Sequence, residues 1–151
     1  MTVEFMRETW PGRIMTVTIG ATSADGGTRS STVTIGGHGA LPFMTGDAPS
    51  PYPPLVALEV LDAVPEDWPE HLRASLADVI DSPAAWARKG VEELGADLIC
   101  LRLISTHPEE RGASPEEAAR TVRAVLDAVS VPLIILGCGD SDVDNELWPR
   151  I

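Results

Sequence analysis

Residues 97–106 read DLICLRLIST, an almost continuous apolar run with one arginine inside it. Ten residues suit a strand better than a helix, and the absence of polar alternation is what a strand in a parallel sheet covered on both faces requires. Two further runs of this kind flank it, LVALEVLD at 55–62 and PLIILG at 132–137. Between them the periodicity becomes helical. Ser82 and Pro83 supply an N-cap and a first helical residue, Trp86, Val91 and Leu94 fall towards one side, and Gly95 stops the segment. Ser114-Pro-Glu-Glu117 is a capping box, followed by Ala118, Val122, Val125 and Val129 at helical spacing. A short extra helix is expected within 69–80, through Leu72 and Leu76. Strand, helix, strand, helix, strand specifies a parallel α/β fold, either an open sheet or the first three βα units of a (β/α)8 barrel, the TIM barrel.

The N-terminal part has a different period. Met15, Val17 and Ile19 alternate with Thr16 and Thr18, and Val33 and Ile35 alternate with Thr32 and Thr34, the pattern of half-buried strands. The linker ATSADGGTRS joins them, so residues 14–36 read as a β-hairpin with a long connection. Residues 36–54, dense in Gly and Pro, hold neither helix nor central strand. The expected organisation is a hairpin extension and Pro/Gly-rich loop over 1–54, then the first part of a TIM barrel over 55–151. A third helix is only beginning near Asn145, which leads to the expectation of a truncated barrel or one part of a larger protein.

Composition narrows the function. The chain has 151 residues, 44% of them hydrophobic, enough for one core. Eleven basic against 23 acidic residues give a formal charge of -12, which repels nucleic acid phosphates and anionic membrane surfaces. No apolar run approaches the roughly 20 residues that span a bilayer, and no signal-peptide layout opens the chain, so a cytoplasmic location is expected. Two cysteines, Cys100 and Cys138, build neither a disulfide framework nor a four-cysteine cluster, and His38, His71 and His107 are too scattered for a metal pair. Phosphate-binding glycine signatures and a nucleophile elbow are missing.

Two charges stand out inside the strands. Glu59 shares a face with Leu55, Ala57 and Leu61, and Arg102 with Leu98, Cys100 and Ile104. A buried charge needs a partner, and an ion pair between these two, on neighbouring strands, is expected in preference to a ligand contact. Parallel α/β folds place their sites at the C-terminal ends of strands, here Asp62, Ser105 and Thr106, and Gly137-Cys138-Gly139. Cys138 has no basic neighbour in sequence to ionise it and reads as a turn residue between two glycines.

The blocks GATSADGGTRSSTVTIGGHGALPF, PSPYPPLVALEVLD, SPAAWARKGVEELGADLICLRLIST, SPEEAARTVRAVLDAV and PLIILGCGDSDVDNE, in this order from about Met15, resemble the small (delta) subunit of the corrinoid iron-sulfur protein of the acetyl-CoA synthase/carbon monoxide dehydrogenase system. The resemblance implies a TIM barrel with an N-terminal β extension and a full length about twice that of this chain. It also implies a heterodimer with a large subunit that holds the corrinoid (cobalamin) and a [4Fe-4S] cluster, neither of which this chain binds alone. Such a heterodimer carries a methyl group on cobalt from a methyltetrahydropterin methyltransferase to acetyl-CoA synthase in the reductive acetyl-CoA (Wood-Ljungdahl) pathway of carbon fixation and one-carbon metabolism. No catalytic or metal-binding residue follows from it. Its implication for Asp62, Ser105, Thr106, Gly137, Cys138 and Gly139 is that they face the corrinoid of the partner.

Two other functions compete. A stand-alone pterin-binding TIM-barrel methyltransferase needs Asp or Asn at several strand ends, for which Asp62 and Asn145 are the candidates. A half-barrel interaction fragment without a metabolic role needs no such residues.

Overall fold

A computed structural model describes residues 12, 14–39 and 51–151. The middle of the Pro/Gly-rich loop, 40–50, and most of the first 13 residues lie outside the described residues. The elements are β1 (Thr16–Ile19), β2 (Val33–Gly36), β3 (Ala57–Leu61), α1 (Glu70–Ser75), α2 (Pro83–Glu92), β4 (Leu98–Arg102), α3 (Pro115–Ala128), β5 (Leu133–Leu136) and α4 (Ser141–Leu147). Strands β3, β4 and β5 form a parallel sheet in that order, and β1 and β2 form a separate antiparallel pair. The molecule is therefore mixed α/β with a parallel sheet at its centre.

Because side chains alternate across a strand, the register separates two faces. Leu58 and Val60, Ile99 and Leu101, and Leu133 and Ile135 share one face, which joins the core with Trp86 and Ala87 of α2 and Ala118, Val122 and Val125 of α3. Val60, Ile99, Leu101 and Val125 are wholly buried, each contributing roughly 1.5–3 kcal/mol relative to exposure. Gly90 lets α2 approach closely, since a Cβ there would come within 2.3 Å of the Leu58 side chain. Trp68 meets Trp86 edge to face at 5.7 Å between ring centres.

The opposite face departs from the sequence expectation. Ala57, Glu59, Leu61, Leu98, Cys100, Arg102, Ile134 and Leu136 lie there; Leu61 and Leu98 are buried, but Ala57, Glu59, Arg102 and Leu136 are exposed. Glu59 and Arg102 are exposed and form no ion pair; the described ion pairs are Lys89–Asp78, Arg111–Glu117 and Arg150–Glu116. The expected buried pair is thus corrected: in water neither charge is desolvated, so little drives the two together.

Several boundaries also move. The run at 97–106 bends after Arg102 into a 3-10 turn over Ile104–Thr106. Helix α2 stops at Glu92, which leaves Leu94 beyond its last turn and 56% exposed instead of packed on one side. In the extension, the paired Ile19 and Val33 are half-buried as the alternation requires, but Met15, Val17 and Ile35 are 83%, 52% and 42% exposed.

What docks the hairpin is its connection. Arg29 donates to the carbonyl oxygens of Leu126 (2.9 Å), Val129 and Val131, in and just past the last turn of α3. These carbonyls include orphans of the helix end, which a cation suits. The Ser30 backbone N–H donates to the Ser130 carbonyl (2.9 Å), and Gly20, at φ 95°, lies so close to Pro132 that a Cβ would come within 3.0 Å of its ring.

Candidate functional site

The C-terminal ends of the three parallel strands carry all six residues singled out in the sequence, divided into two groups with no hydrogen bond between them. In the first, the Asp62 carboxylate accepts from the Ser105 backbone N–H (2.8 Å) and hydroxyl, and the Asp62 backbone N–H donates to the Arg102 carbonyl (3.1 Å). Ser105 and Thr106 are buried, and the Thr106 hydroxyl donates to the Leu103 carbonyl at 2.8 Å. The hydroxyls thus turn inward, and the group ties the end of β3 to the turn after β4.

The second group is the turn after β5. Asp144, one turn into α4, reaches back so that its carboxylate accepts from the backbone N–H groups of Cys138 (2.9 Å) and Gly139 (3.1 Å), with the Cys138 thiol 3.4 Å away. Gly137 makes room for it: a Cβ there would fall 2.2 Å from the carboxylate oxygen. Cys138 is half-buried, and its backbone N–H is held in the turn by Asp144. Asp140 caps α4 by accepting from the backbone N–H groups of Asp142 and Val143.

Beside the first group a cleft of about 680 Å³ opens at the mouth of the uncovered sheet face, lined by Glu59, Leu61, Trp68, Arg102, Ile104 and Arg111 among others. Trp68 and Arg111 escaped the sequence reading because they lie in loops without periodicity. Cys100 is half-buried on the same face; burial pushes its thiol above the ordinary range, Glu59 adds to the rise, and Arg102 opposes it.

Among the described residues no group of three or more His, Cys, Asp or Glu side chains is arranged to hold a metal ion. His71 is exposed, and His38 and His107 are half-buried, with the His107 Nδ1 accepting from the Glu109 backbone N–H at 3.1 Å. No helix of the described residues is long and apolar enough to cross a membrane.

Comparison with known proteins places the sequence in a family. Residues 16–146 match the CO dehydrogenase/acetyl-CoA synthase delta subunit family. The chain is 45% identical over 144 residues to the acetyl-CoA decarbonylase/synthase complex subunit delta of Archaeoglobus fulgidus, covering 95% of this chain and 32% of that protein. Proteins of the same description from Methanosarcina mazei and Methanopyrus kandleri are 44% and 41% identical, over 93% and 92% of this chain and 32% and 34% of theirs. The chain therefore spans about a third of the length of the curated relatives it matches, less than the half that the sequence resemblance implies.

Proposed function

The chain belongs to the CO dehydrogenase/acetyl-CoA synthase delta subunit family, and on that premise we propose that it acts as a non-catalytic small subunit of a corrinoid iron-sulfur protein within an acetyl-CoA decarbonylase/synthase complex. The observation that carries the reading is the match of nearly the whole chain to relatives that bear that complex's name. In this role the large subunit holds the corrinoid and the [4Fe-4S] cluster, and the corrinoid supplies the cobalt that accepts and releases a methyl group. Two cysteines and three histidines in the whole chain fall short of a cluster set, which supports assigning those groups to the partner.

The contribution of this chain is a shaped wall. Its three βα units form part of a TIM barrel, with the uncovered sheet face turned inward and the strand ends towards the corrinoid. Asp62 holds the turn after β4 in place through Ser105, and Asp144 holds the turn after β5 through Cys138 and Gly139. Backbone, not a reactive side chain, meets the cofactor at Gly137–Gly139. Co-expression with the large subunit of the same complex tests this: a cobalt- and iron-containing heterodimer is expected, in which Cys138→Ala keeps methyl transfer and Gly137→Leu, by displacing Asp144, impairs it. Stoichiometric corrinoid on the isolated chain, failure to form the heterodimer, or loss of transfer in Cys138→Ala overturns the proposal.

A further inference from the structure

We draw no further inference here: the strongest candidate, the cleft at the C-terminal mouth of the parallel sheet lined by Glu59, Trp68, Arg102 and Arg111, belongs to the site already described, and nothing in the structure shows what covers the sheet face onto which it opens.

Discussion

Cys100 lies between two charges of opposite effect, which makes it a probe of the uncovered face. Its thiol is held above the ordinary range chiefly by burial, with Glu59 raising and Arg102 lowering it. In dilute Cys138→Ala protein, alkylation of Cys100 is expected to accelerate only at a pH above that of an ordinary thiol. Glu59→Gln shifts the profile to lower pH and Arg102→Met to higher pH; three coincident profiles would mean that the charges do not reach the thiol. Asp62 has a different task. Its removal in Asp62→Ala strands the buried Ser105 hydroxyl and N–H, at a cost of about 2–3 kcal/mol in chemical denaturation, and a loss within error would show the contact to be dispensable. The sequence placed Asp62 and Ser105 at strand ends correctly but not in contact, because nothing local links residues 43 positions apart. It paired Glu59 with Arg102 on the assumption that the face is covered, and exposure removes the desolvation that would have driven the pair.

Helix α3 was legible from its capping box and four apolar residues. Ser114 accepts from the Glu117 backbone N–H at 3.2 Å while the Glu117 carboxylate accepts from the Ser114 backbone N–H at 2.9 Å, and Ala118, Val122, Val125 and Val129 are all buried as their spacing requires. Caps are readable because they are local. The hydrogen bond from Ser114 holds the Glu117 carboxyl below the ordinary carboxylate range, with Arg111 assisting. A depressed folded value means that the stabilising contribution is present above the unfolded value and lost as pH falls through the folded one. Glu117→Gln keeps the cap without the titration, so its stability is expected to fall less steeply in acid than that of wild type; parallel acid limbs would contradict this. The turn between β5 and α4 was legible only in part. Its glycines signalled a close approach, and at Gly137 the group that comes close within the chain is Asp144, a side chain on the next helix. Gly137→Ala and Asp144→Ala are expected to be strongly non-additive in a double-mutant cycle, since either change alone breaks the same two backbone contacts. Simple addition of the two losses would refute that coupling.

At the scale of the molecule, the parallel sheet and its helices followed from apolar runs, helical period and caps, whereas the attachment of the N-terminal extension did not. Arg29 binds carbonyl oxygens, which every residue possesses, so no pattern in the sequence marks its partners. Arg29→Ala is expected to cost about 2–3 kcal/mol and to open residues 14–36 to proteolysis while the parallel sheet persists, with Arg29→Lys recovering only part, because an ammonium cannot span three carbonyls in fixed directions. Unchanged protease sensitivity in Arg29→Ala would remove the guanidinium from this role. The same contact orders events during synthesis. Arg29 is bound to residues 97 to 102 positions later in the chain, so the extension leaves the ribosome well before its seat, which is complete only after α3 and the start of β5 have emerged. Until then its exposed Met15 and Val17 travel unanchored on a nascent chain, and a segment made before the parallel sheet is secured only after most of that sheet exists.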